Sequence, residues 1–405
     1  MRNYYNKHLI KFTFIILFKL FLLTGVVFMS IIIAEIVGYK YAQITKLNEK
    51  IKYIEDTLEY SRQHEPNIGC YDKDLGWSFK PQAEGRLITS EFDVAYAINS
   101  LGIRDKEIPL EKPGGEFRII ALGESQVFGH GINYGKRFTE IIENALNKVE
   151  IINMGVWGFG ADQSFLQLQR DGFRFNADLA ILFITEEFFK RCEDFIRVNT
   201  FKPHFILNEE ENNLILQDLV YIQKKFGSEN FDIKNKITEK NLNIGKRKNI
   251  FKNSRLLTLI NYSIKLNELK EIDKKYWKNI NSTLDTEKKI KSGYDEERFQ
   301  KLIFLIIKKF KGICNGQKVN FLIINIDTHP ISYVFDFCRK LDISYLDLSM
   351  VLSSASKLKS LRFEIDPHYN EFTHRVIGEY VANYLKDEYS LSQNKSFTYH
   401  FLSKL

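Results

Sequence analysis

Five short apolar runs limit what this chain can fold into. "FRIIAL" (117–122), "VEIINMG" (149–155), "DLAILFIT" (178–185), "VNFLIINI" (319–326) and "SYLDL" (344–348) each read as a strand. Near-continuous apolar runs of this length suit strands covered on both faces, as in a parallel sheet. Helical patterns such as "RFTEIIENAL" (137–146) separate most of them. Parallel strands need crossovers, and helical crossovers put helices on both faces of the sheet. The expected class is therefore α/β. A chain of 405 residues with 44% hydrophobic and 27% charged residues can bury a core of that kind and still carry accessory segments.

Those segments are legible as changes in pattern. Residues 20–38, "LFLLTGVVFMSIIIAEIVG", are apolar except for Glu35, and "FTFIILF" precedes them. The run is long enough to span a bilayer core of about 30 Å. It exceeds a signal-peptide core, and no small-x-small site follows, so residues 1–40 are expected to be an uncleaved membrane anchor. Basic residues flank the run equally on both sides, which leaves its orientation open on charge alone. Ile44, Leu47, Ile51, Ile54 and Leu58 then repeat at spacings of three and four within a juxtamembrane helix over 41–65. The seam fits either a helix packed on its own domain or a homodimer stalk through residues 44–58.

Residues 66–115 are rich in turn residues and read as a small strand-rich preface. The α/β domain takes 116–210 and 301–390. Between its halves, 211–300 is expected to be a basic, mostly helical insertion, and 391–405 a C-terminal tail. Residues 221–300 hold nineteen Lys and Arg against eleven Asp and Glu, in a chain whose whole net charge is +7. Such a block fits a solvated helical surface or a basic cap facing an anionic polymer or lipid headgroups. No nucleic-acid motif is present, so no nucleic-acid partner is expected. Cys70, Cys192, Cys314 and Cys338 have neither CxxC spacing nor the density of a disulfide framework, and read as separate thiols.

Chemistry concentrates in two stretches far apart. "ALGESQVFGHG" (121–131) follows the first strand and puts Ser125 where a parallel sheet opens its crevice. It lacks the Lys of a Walker A loop and the spacing of a dinucleotide fingerprint. A serine nucleophile needs a base and a group that orients the base. Asp366 and His368 in "EIDPHYNEFTHRVIGEYVANYLK" (364–386) stand two apart on a Pro-containing loop, with Asn370 as N-cap of a final helix. His374 lies inside that helix and reads as structural. His130, five residues past the serine, is the weaker candidate for the base.

Taken together these stretches resemble the SGNH (GDSL-type) hydrolases of the membrane-anchored bacterial type. "GES" with Ser125 is similar to block I, and "INMGVWGFGADQ" with Gly158 to block II. "DLAILFITEEF" occupies the place of block III, and "DPH" that of block V. The preface and "KPHFILNEEENNLIL" are also similar to membrane-associated or secreted members. The likeness covers roughly residues 70–210 and 300–385. It implies a flavodoxin-like three-layer α/β/α sandwich and a serine esterase needing no metal or cofactor. In that reading Ser125 attacks, His368 takes its proton, Asp366 fixes the imidazole, and the N–H groups of Ser125 and Gly158 hold the oxyanion.

Two positions depart from the family pattern. Glu124 replaces the aspartate of GDS and keeps its charge. Glu186 stands where block III has an asparagine that donates to the oxyanion. Losing one such donor costs about 10²–10³ in rate. A carboxylate about 4 Å from the oxyanion would add on the order of 4 kcal/mol of repulsion at an effective dielectric near 20. Two functions therefore follow from the sequence. One is an extracytoplasmic esterase, or O-acyltransferase, acting on an acylated envelope glycan or lipid. The other is a catalytically weak binding module for envelope polysaccharide.

Overall fold

The computed structural model describes residues 22–25, 27–33, 35, 68–194, 196–197, 200–208, 210–226 and 295–391. Residues 41–65, with the expected dimer seam, lie outside the described residues. So do most of the expected anchor, most of the basic insertion, and the tail beyond 391. The described pieces between 22 and 35 are helical, with exposed side chains. Among the described residues no helix is long and apolar enough to cross a membrane.

Two antiparallel hairpins come first. They pair β1 (Gly69–Asp72) with β2 (Gly76–Phe79) and β3 (Glu84–Ile88) with β4 (Asp93–Ala97). In β4, Val94 and Tyr96 turn inward while Asp93, Ala95 and Ala97 face out, the period of two that a half-buried strand requires. The central sheet then has five parallel strands: β5 (Phe117–Leu122), β6 (Val149–Asn153), β7 (Leu179–Ile184), β12 (Asn320–Asn325) and β13 (Ser344–Asp347). Between β7 and β12 lie the small hairpins β8 (Ile196–Arg197)–β9 (Thr200–Phe201) and β10 (His204–Asn208)–β11 (Asn213–Gln217).

Strand order across the sheet is β13-β12-β7-β5-β6. Numbering these five strands in chain order gives 2-1-3-4-5 from the β6 edge, the flavodoxin-like order. Alternation along the strands builds the layers. Ile120 and Leu122 of β5 face one side with Ala180 and Leu182 of β7 and Ile323 of β12. There they meet α3 (Ala161–Arg170), α6 (Glu296–Gly316) and α7 (Ser332–Leu341) through Phe165, Leu168, Ile303, Phe310 and Val334. Ile119, Ala121, Ile181 and Ile324 face the other side. They meet α2 (Phe138–Ala145), α8 (Ser349–Ser356) and α9 (Glu371–Glu388) through Phe138, Ile142, Leu352, Val376 and Leu385. Each fully buried Leu, Ile or Phe contributes roughly 1.5–3 kcal/mol, so both helical layers are held firmly.

The hairpin preface is continuous with this body. Trp77, Phe79 and Tyr96 share a core with Phe128, Val156 and Phe159. Buried Arg104 donates to the carbonyls of Phe128, Gly129 and Ile132 at 2.6–2.9 Å. One expected boundary is corrected. A helical insertion starting at 211 would cut through β10–β11, where Asn208 pairs with Asn213 and His204 with Gln217. The helix α5 (Leu219–Phe226) begins only after that hairpin closes.

Candidate active site

The turn after β5 is shaped by glycine. Gly123 has φ +154°, and a Cβ there would lie 2.4 Å from Val127 Cγ2. Glu124 is extended, Ser125 opens the short helix α1 (Ser125–Phe128), and Gly129 ends it at φ +79°. The loop after β6 presses against this turn. Met154 N–H donates to Ala121 O at 2.9 Å and Val156 N–H to Gly123 O at 3.2 Å. Gly155 has no room for a side chain, since a Cβ would come 2.4 Å from Phe128 N. Gly158, at φ +75°, follows on the same loop.

The chain returns to Ser125 from the other end. Leu361 to Asn370 form a closed loop, with Phe363 N–H donating to His368 O and Asn370 N–H to Leu361 O. Tyr369 N–H donates to Gln126 Oε1 at 3.0 Å, so the neighbours of histidine and serine are tied directly. Asn370 caps α9 by accepting from Thr373 N–H at 3.2 Å.

These elements bring Ser125, His368 and Asp366 together. His368 Nε2 lies 2.8 Å from Ser125 Oγ, and His368 Nδ1 lies 2.6 Å from Asp366 Oδ1. Burial alone would raise the Asp366 carboxyl, but hydrogen bonds and charge from His130 and His368 outweigh it and hold the group well below the usual carboxylate range. A carboxylate cannot donate, so Nδ1 carries a proton and Nε2 is the ring nitrogen that faces the serine.

Ser125 Oγ has a second acceptor, Glu124 Oε2 at 2.7 Å. Arg191 grips that same oxygen at 2.6 Å. Burial opposes ionisation of Glu124, yet the Arg191 guanidinium and the serine hydroxyl hold its carboxyl below its ordinary value. Glu124 is thus a poor proton acceptor, and His368 is the base that chemistry at Ser125 would use. The serine is only 5% exposed. The His368 side chain, at 23%, is the more open side of the pair.

Glu186 does not sit as its motif position suggested. It is the first residue of α4 (Glu186–Lys190), its side chain is 54% exposed, and it pairs with Lys190 at 2.9 Å one helical turn on. Glu187 is also turned outward, 3.6 Å from Arg191 and Arg197. The Glu186 carboxylate is thus paired with Lys190 and open to solvent. His374 is buried against Phe138 and accepts its backbone N–H at 3.1 Å. Burial, with Arg137 and Arg104 nearby, lowers its imidazole to about 3.

Two residues at the site escaped the sequence reading. Glu91, in the turn between β3 and β4, accepts the backbone N–H groups of Glu364, Ile365 and Asp366 at 2.5, 3.0 and 2.7 Å. Arg191 owes its role to a carboxylate 67 residues earlier. Neither carries a local signature. Among the described residues, His130, Asp366 and His368 bring three ligating atoms within 4.8 Å of one another. The Asp366–His368 contact of 2.6 Å is a hydrogen bond, shorter than the roughly 3.3 Å between two ligands on one tetrahedral zinc ion. The described cysteines are free, with Cys192, Cys314 and Cys338 buried.

No family model matches the chain, and no curated protein matches it. Several solved structures are similar in shape. A member of the lipolytic protein G-D-S-L family from Veillonella parvula DSM 2008 is 13% identical, with a TM-score of 0.31, over 67% of this chain and 97% of that one. TesA is 7% identical, with a TM-score of 0.34, over 67% and 98%. An acetyl xylan esterase, AlAXEase, is 12% identical, with a TM-score of 0.31, over 67% and 99%. At these TM-scores the likenesses decide nothing about this chain; strand order and the contacts of Ser125, His368 and Asp366 do.

Proposed function

We propose that this chain is a serine esterase of the SGNH type, with Ser125 as nucleophile, His368 as general base and Asp366 as its orienting acid. The observation that carries this reading is the run of contacts from Asp366 Oδ1 through the His368 ring to Ser125 Oγ, at 2.6 and 2.8 Å. Ser125 Oγ attacks the acyl carbonyl carbon as its proton passes to Nε2. The carbonyl electron pair moves onto oxygen, held by the backbone N–H groups of Ser125 and Gly158. Collapse expels the alcohol, which takes the proton from Nε2 and leaves an acyl-serine. Water, deprotonated by the same nitrogen, then releases the acid. An acceptor hydroxyl in place of water makes the reaction an acyl transfer.

The apolar run at 20–38 supports a chain tethered to a membrane on its extracytoplasmic side. The substrate class that fits this placement is an O-acylated envelope glycan or lipid. The test is labelling by a fluorophosphonate probe together with hydrolysis of p-nitrophenyl acetate. Wild type should label, Ser125→Ala should not, and Asp366→Asn should keep a residual rate because its role is orientation. Folded wild-type protein that neither labels nor hydrolyses would support the binding-module reading instead.

A further inference from the structure

Asp366 spends only one oxygen on His368. Its other oxygen, Oδ2, faces His130 Nε2 at 3.6 Å. The His130 ring lies against the His368 ring, with centroids 4.2 Å apart and planes tilted by 36°. Phe92 packs edge-on against the His130 ring, with centroids 5.7 Å apart. The His130 backbone N–H donates to the carbonyl of Ser125 at 3.0 Å, which fixes this second imidazole to the nucleophile's own turn. Two imidazoles thus share one carboxylate, one oxygen each.

We infer that His130 is a positioning residue for the triad: its Nε2–H holds the second oxygen of Asp366, so that the first stays in the plane of the His368 ring. This inference rests on the esterase reading above. The 3.6 Å contact is longer than a hydrogen bond; catalytic contacts in unliganded sites are often long, and the proposed role requires this one to tighten in the transition state. Burial favours a neutral His130, and neutrality suits the role, because a second cation would repel the imidazolium forming on His368. The charged and titratable groups acting on His130 are Asp366, His368 and Arg104. Asp366, His130, Glu124, His374 and the Ser125 hydroxyl interact with His368.

Two substitutions separate the donor from the stacked face. His130→Phe keeps an aromatic ring beside His368 and loses the donor. His130→Gln keeps a donor and loses the ring. The measurement is the rate of fluorophosphonate labelling of the purified full chain in detergent, from about pH 5 to 9, across the histidine range. His130→Phe should label about tenfold more slowly at its plateau. His130→Gln should retain most of the wild-type rate, a rescue that loss of the ring packing alone would not give. Wild-type behaviour of His130→Phe, or equal losses in both variants, would overturn the assignment.

A wild type that fails to label overturns the esterase reading separately.

Discussion

Glu91 Oε2 accepts the backbone N–H of Asp366 at 2.7 Å across 275 residues of sequence. With the N–H groups of Glu364 and Ile365 on its other oxygen, this one carboxylate fixes three successive peptides of the loop that carries Asp366 and His368. Glu91 is itself held by a tight turn in which Thr89 Oγ1 accepts from the N–H groups of Glu91 and Phe92. The turn between β3 and β4 therefore anchors the loop that carries Asp366 and His368.

Removing that anchor should separate rate from binding. A misplacement of about 1 Å can cost on the order of 10²-fold in rate. Glu91→Ala is expected to lower kcat toward p-nitrophenyl acetate by about that factor, with KM nearly unchanged. Glu91→Gln keeps one acceptor oxygen and should lose less than about tenfold. Steady-state kinetics on both variants, with circular dichroism to confirm folding, makes the comparison. Equal kcat in Glu91→Ala and wild type would show that the loop holds its place unaided.

Glu186 yields the opposite expectation. Its carboxylate is half in solvent and bound to Lys190, so in the proposed esterase it should take no part in the acyl-transfer step. Glu186→Asn should leave kcat/KM within about twofold. Stability should fall by no more than about 0.5 kcal/mol, the usual contribution of an exposed pair one turn apart on a helix. A rise of tenfold or more in the asparagine variant would mean that the side chain swings into the site during turnover.

The contrast between these two glutamates shows which parts of the molecule could be read from sequence. The sheet strands announce themselves by unbroken apolar runs, and Ser125 and the Asp366–His368 loop each sit beside a local pattern. Motif position also singled out Glu186. It could not give the rotamer, which is set by Lys190 four residues on and by the start of a helix. Glu91 was invisible for a different reason: a carboxylate that caps a loop 275 residues away leaves no trace in its own neighbourhood. The β10–β11 hairpin was obscured because its apolar halves, "HFILN" and "NLILQ", abut a long basic stretch that dominated the reading.

His374 contributes to the loss of stability on the acid side. It is 1% exposed, stacked on Phe138, and lowered to about 3 by burial and by the charges of Arg137 and Arg104. In the unfolded chain the same ring titrates near 6.5. Between these values the unfolded state binds one more proton than the folded state, so stability rises with pH and is lost as pH falls below 6.5. The slope from this one group is about 1.4 kcal/mol per pH unit. Above 6.5 both states are neutral, and the term vanishes. His374→Gln can still accept the Phe138 N–H through its amide oxygen but cannot take up a proton. The variant should therefore lose less stability between about pH 6 and 4 than wild type, by roughly one proton's slope. Thermal melts of the two proteins across that range measure the difference. Parallel curves would show that His374 is already protonated in the fold, and that some other group sets the acid limit.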